Sequence, residues 1–198
     1  WRVNIPQADT TNFVYDGTPK TYVLGQSAFY VIEGNVQTLA GSYTVTVSLT
    51  NTEDFEWEDG TVAAKTYSFK INKLLVKAPA ANNMSYVYNG LVQDYTIAKS
   101  SYFTITGDKQ MNAGSYTVKA ILNDTANCEW EDHTVAEKTY SFVINKRVIT
   151  VIANSTQMSV NDQLPTPTFV VQGVQGSDNV IAEANIVASY RSVNVAVA

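Results

Sequence analysis

Glu53, Asp54, Glu56, Glu58 and Asp59 crowd around Trp57, and Asp124, Glu129, Glu131 and Asp132 repeat the arrangement around Trp130. Clustered carboxylates on a loop can ligate calcium, which takes about six to eight oxygens. A pair facing one another across a cleft can act as the acid and base of glycoside hydrolysis. The local pattern argues against both. Glu56, Trp57 and Glu58 alternate as a strand does, no D-x-D-x-D-G loop surrounds them, and the last third of the chain has no matching cluster. The expectation is a solvated acidic hairpin in each half, with calcium as the alternative occupant.

The other chemistry-bearing side chains are few. Trp57 and Trp130 either fill a core, where an aromatic buries roughly 150–250 Å², or offer a face on which a sugar ring stacks. Trp1 stands at the start of the sequence, placed to pack against a neighbouring domain or another copy. Cys128 is the single cysteine, so no intrachain disulfide forms. A free Cys behaves as a small buried apolar residue, and an intermolecular disulfide is the alternative. His133, the single histidine, stands where the first half has Gly60, which reads as a surface turn. No Ser-His-Asp set can be assembled around it, and no Gly-rich phosphate loop is present. Lys65 and Lys138 recur, as do Asn72 and Asn145. A Lys–Asn isopeptide crosslink needs both in an apolar core, and alternation places these Asn on the hydroxyl-bearing face. Asn123-Asp124-Thr125 and Asn154-Ser155-Thr156 match the glycosylation pattern, which arises by chance in a chain this rich in Thr. No catalytic, cofactor-binding or metal-ligating residue is therefore assigned, and the expectation is a protein that is not an enzyme.

The elements that would position these residues are strands. Val, Thr and Tyr number 25, 22 and 12 of 198 residues, all strong strand formers. A net charge of −5, with only 13 Lys and Arg, suits a phosphate backbone poorly and argues against nucleic acid. No apolar run reaches the roughly 20 residues that would span a bilayer, so direct membrane insertion is not expected. The opening Trp1-Arg2-Val3-Asn4-Ile5-Pro6 lacks a signal-peptide apolar core, so the chain reads as a mature product or an excised fragment.

Sliding the sequence on itself by 73 residues exposes its organisation. Val14-Tyr15-Asp16-Gly17 falls on Val87-Tyr88-Asn89-Gly90, and Ala40-Gly41-Ser42-Tyr43-Thr44-Val45 on Ala113-Gly114-Ser115-Tyr116-Thr117-Val118. Glu56-Trp57-Glu58-Asp59 falls on Glu129-Trp130-Glu131-Asp132, and Lys65-Thr66-Tyr67-Ser68-Phe69 on Lys138-Thr139-Tyr140-Ser141-Phe142. Phe13 to Lys73 gives 31 identities over 61 positions without an insertion. The expected units are 1–73, 74–146 and a divergent, apparently incomplete 147–198. In the last, Val148-Ile149-Thr150-Val151-Ile152 reads as the opening strand, Ser189-Tyr190 as the counterpart of Ser115-Tyr116, and Val193, Val195 and Val197 as a closing stripe.

Within each unit Tyr43-Thr44-Val45-Thr46-Val47-Ser48-Leu49 and Tyr67-Ser68-Phe69-Lys70-Ile71-Asn72 alternate apolar with polar residues, the mark of half-buried strands. Asp16-Gly17, Glu33-Gly34-Asn35 and Asp59-Gly60 supply turns. No stretch has helical spacing. The expected class is all-β, with tandem small Ig-like sandwiches. Lys73-Leu74-Leu75 and Lys146-Arg147-Val148 join the units without a Gly, Ser or Pro linker, which favours an elongated, semi-rigid rod.

These residues resemble the tandem Ig-like repeats of bacterial surface proteins, the YDG and MBG-type domains. Tyr15-Asp16-Gly17, Tyr88-Asn89-Gly90, the Ala-Gly-Ser-Tyr-Thr-Val strands and the closing Tyr-Ser-Phe-x-Ile-Asn-Lys carry the resemblance, with Leu164-Pro165-Thr166-Pro167 in the more distant third unit. Some relatives in that family are grasp-like rather than sandwich-like. The resemblance implies a non-enzymatic stalk or spacer on the bacterial cell surface or cell wall, packed against adjacent domains of the same or a longer chain. Two alternatives stand beside it. One is a self-assembling filament or phage-virion subunit, with Trp1, Val3 and Ile5 as a donor strand for an incomplete third unit. The other is an adhesin module for a glycan or host-surface ligand.

Overall fold

A computed structural model describes residues 1–159, 162–183 and 187–189. The expected stripe Val193, Val195 and Val197, and Tyr190, lie outside these residues. The chain forms two compact units. The first comprises 1–80, 98–105 and 120–138, and the second 81–97, 106–119 and the described part of 139–198.

The first repeat runs β1 (Arg2–Val3), β2 (Phe13–Val14), β3 (Lys20–Thr21), β4 (Tyr30–Glu33), β5 (Val36–Gln37), β6 (Gly41–Leu49), β7 (Glu56–Trp57) and β8 (Lys65–Asn72). The second recurs as β9 (Leu74–Val76), β10 (Tyr86–Val87), β11 (Gln93–Asp94), β12 (Phe103–Thr106), β13 (Lys109–Gln110), β14 (Gly114–Leu122), β15 (Cys128–Trp130) and β16 (Lys138–Asn145). Beyond it lie β17 (Thr150–Ala153), β18 (Phe169–Gln172) and one helical turn, α1 (Val180–Glu183). The all-β class is as the sequence indicates, and the sheets curl as half-barrels. The single helical turn is too short to leave a periodic signal.

In the first repeat a four-stranded sheet is ordered β2-β8-β6-β4. The long strands β6 and β8 are antiparallel, with Tyr43 opposite Phe69 and Val45 opposite Tyr67. β2 joins β8 in parallel, Phe13 opposite Ile71, and β1 joins β7 in parallel, Val3 opposite Trp57. The second repeat keeps these pairings, with β10 parallel to β16 and β9 parallel to β15. An immunoglobulin sandwich is built of antiparallel sheets. Here the first strand of each repeat runs parallel to its penultimate strand and the second strand parallel to its last, a relation that period-two alternation does not encode.

The core follows the alternation. Val45, Val47 and Leu49 of β6, Phe69 and Ile71 of β8, and Trp57 of β7 are buried on one side of the sheet, while Thr44, Thr66 and Ser68 face solvent. Burying each such apolar side chain is worth about 1.5–3 kcal/mol. Aromatic rings organise the rest. Phe69 receives Phe13 edge-on at 5.6 Å and Tyr22 stacked at 5.3 Å. Seventy-three residues on, Phe142 receives Tyr86 edge-on at 4.9 Å. Gly34 and Gly107 carry positive φ where the chain turns tightly, and a Cβ on either would lie 2.7 or 2.4 Å from the carbonyl oxygen of Thr44 or Thr117. Only glycine fits both the conformation and the approach.

The third segment departs from the repeat. β17 is antiparallel to β18, Val151 opposite Val171, whereas the opening strands β1 and β9 pair in parallel. Its strand begins at Thr150, two residues after the expected start, and all four of its residues are exposed. Leu164-Pro165-Thr166-Pro167 lies between the two strands without regular structure. Among the described residues no helix is long and apolar enough to cross a membrane.

Candidate interface at the repeat junction

Lys73 leads from β8 into β9 without a linker, and everything that receives β9 belongs to the first compact unit. β9 lies along β15, Leu74 opposite Cys128 and Val76 opposite Trp130. Leu74 N donates to Asn127 O at 2.9 Å, and Glu131 N to Val76 O at 3.1 Å. The Lys73 ammonium donates to Thr125 O at 2.6 Å.

Asn127 anchors this junction. Its side-chain Oδ1 accepts from the backbone N–H of Ala40 at 2.8 Å, in the loop before β6. Its Nδ2 donates to Asp124 Oδ2 at 2.8 Å, and its own N–H to Asp124 Oδ1 at 3.1 Å. Asn127 is 7% exposed, the one buried polar or charged residue among those described. A buried amide with both ends engaged contributes modestly, but removing one partner exposes a desolvation penalty of about 1–3 kcal/mol. The same hydrogen bonds from Asn127 hold the Asp124 carboxyl below its ordinary value.

The first repeat has a parallel arrangement with the two residue types exchanged. There Asn51 Nδ2 donates to Asp54 Oδ2 at 2.7 Å, and the amino group of Trp1 donates to Asp54 O at 2.7 Å. Reading the acidic residues as one cluster hid Asn127. The signal that would have found it is this exchange of Asn51 and Asp54 for Asp124 and Asn127 at a 73-residue offset.

A cleft of about 700 Å³ opens beside the junction, lined by Val14, Ala40, Ile71, Leu74, Glu129 and His133 among others. A smaller one of about 210 Å³ recurs a repeat later, at Tyr88, Ala113 and Lys146. His133 has φ +60, the only positive φ outside glycine among the described residues. Its Nδ1 lies 2.7 Å from Glu129 Oε1. In the first repeat Glu56, the counterpart of Glu129, pairs with Arg2 at 3.1 Å.

Several of the carboxylates singled out in the sequence engage separate partners. Asp59 accepts from Lys65 at 2.6 Å and Thr61 Oγ1 at 2.7 Å, and Asp132 accepts from Lys138 and Thr134 at the same distances. Glu58 caps Ile5 N at 3.1 Å. The Lys and Thr donors hold the Asp59 and Asp132 carboxyls down at about 2. Among the described residues no three His, Cys, Asp or Glu side chains gather as a metal-binding group.

Trp57 and Trp130 are 0% and 1% exposed, each donating its indole N–H to a backbone carbonyl, Ala63 or Ala136, at 2.8 Å. Neither face is open to a sugar, so these indoles are core residues rather than stacking platforms. Trp1, by contrast, is 86% exposed. Val3, the centre of the stripe suggested as a donor strand, is buried in its own repeat against β7. Cys128 is buried, and burial pushes its thiol up, away from the reactive thiolate. Asn72 and Asn145 donate to the carbonyls of Phe13 and Tyr86. Asn123 uses both side-chain ends, on Thr104 and Ser101.

Compared with known proteins, the chain matches no family model, no curated protein and no solved structure.

Proposed function

We propose that the chain is a non-enzymatic structural spacer, a tandem repeat segment of a bacterial extracellular surface protein. Its repeats are small Ig-like or grasp-like units that together form an elongated rod. The observation that carries this reading is the linker-free junction. β8 passes through Lys73 straight into β9, and Asn127 ties that junction to the Ala40 loop by a partly buried hydrogen bond. A spacer requires units that repeat and junctions that resist bending, and both requirements rest on ordinary packing and backbone bonds. The ionisable groups support it as well, since Asp59 and Asp132 are each engaged with a Lys and Glu58 with a backbone donor.

The test is to duplicate residues 74–146 within the chain and measure the maximum dimension by small-angle X-ray scattering. A spacer grows by one unit's length for the added repeat. A chain whose dimension stays the same would overturn the reading.

A further inference from the structure

Asn89 and Gly90 form the turn that follows β10, and they are the one Asn-Gly pair in the sequence. Asn89 is exposed. Its Oδ1 accepts from Leu91 N at 3.0 Å, which draws electron density from the side-chain carbonyl carbon. Gly90 has φ +75 and no Cβ to crowd an approach. No hydrogen bond among the described residues engages its backbone nitrogen. An activated electrophile and an unengaged nucleophile are therefore neighbours in the chain, one ring closure apart.

We propose that Asn89-Gly90 is a self-modification site at which Asn89 loses its amide through a cyclic imide. The Gly90 nitrogen bonds to Asn89 Cγ and gives its proton to solvent. The bond from Cγ to the side-chain nitrogen breaks, and that nitrogen takes up a proton and leaves as ammonia. Water then opens the five-membered ring at one of its two carbonyls. Opening on one side yields aspartate, and on the other isoaspartate, whose main chain is longer by a methylene. The sum is one water consumed and one ammonia released, with no change of oxidation state.

The first repeat shows that the aspartate product fits. Asp16 occupies the same place before Gly17, and its Oδ1 accepts from Thr18 N at 2.9 Å in the same turn. There Lys20 neutralises the carboxylate. The corresponding residue in the second repeat is Gln93, whose Nε2 donates to Val87 O at 3.0 Å, so a charge at 89 would gain no such cation. The turn also packs closely on the segment after β18. A Cβ at Gly90 would lie 3.3 Å from Gln175 Cβ, and Tyr88 Oη donates to Asp178 Oδ1 at 2.9 Å. A new negative charge, or an added methylene, at this turn loosens its hold on residues 175–178.

The full chain, aged at mildly alkaline pH and digested at intervals, tests this by peptide mass spectrometry with enzymatic isoaspartate labelling. A synthetic peptide of residues 84–94 serves as reference. The expected result is conversion of Asn89 to both products at a rate within about tenfold of the peptide, since the reaction is local covalent chemistry. Asn123 and Asn4 lag behind, and Asn89→Gln abolishes the conversion. Backbone exchange at Asp178, whose N–H bonds to Gln175 O, rises with conversion. An Asn89 still amidated when the peptide is fully converted overturns the site. Conversion without faster exchange at Asp178 overturns the loosening.

Discussion

The backbone N–H of Ala40 donates to Oδ1 of Asn127, 87 residues further along the chain, at 2.8 Å. This bond is partly buried and joins a loop of the first repeat to a turn of the second. A rigid spacer needs such ties, because a junction held only by chain continuity would bend freely.

Removing the Asn127 side chain leaves the Ala40 N–H without its acceptor. Asn127→Ala should lower stability by about 1–3 kcal/mol in denaturant titration. Hydrogen exchange at the Ala40 amide should speed up in the same variant. Asp54→Ala, at the exposed counterpart, should change stability by less than about 0.5 kcal/mol.

Val45 is 0% exposed, opposite Tyr67 in the β6–β8 ladder. Val45→Asp places an unpaired charge there and should cost at least about 3 kcal/mol. A thermal melt unchanged by this substitution would refute the assignment of the buried face.

The carboxyls of Asp59 and Asp132 sit at about 2 instead of 3.8, first because of Lys65 and Lys138, then of Thr61 and Thr134. Values depressed by folding give stability that is complete above 3.8 and lost as pH falls through about 2. Lys65→Met should return the Asp59 midpoint toward 3.8 in an NMR titration and leave Asp132 in place.

His133 holds a left-handed backbone where the first repeat has Gly60 at φ +78. A side chain in that region carries strain of roughly 1–2 kcal/mol, partly offset by the entropy glycine loses on folding. His133→Gly should therefore raise the melting temperature. A fall would show that the contact with Glu129 outweighs the strain.

The period and the buried stripes were legible in the sequence because identity at a fixed offset and alternation along β6 and β8 are local signals. Strand direction was not. Phe13 meets Ile71 and Val3 meets Trp57 in parallel, yet nothing in a two-residue strand records which way its distant partner runs. The junction was legible as a missing linker between Lys73 and Leu74. Its anchor was not, because Asn127 reads as one more polar residue in an acidic turn until the Ala40 loop is brought to it. The third segment escaped for a related reason. Val151 and Ile152 alternate with no buried face, and their antiparallel partner is set by β18 rather than by the repeat.

Light scattering on the purified 198-residue chain, paired with negative-stain images of the same sample, tests the spacer reading most directly. The account predicts monomers of elongated outline across concentration. Filaments or discrete oligomers would contradict it, and would make assembly itself the function.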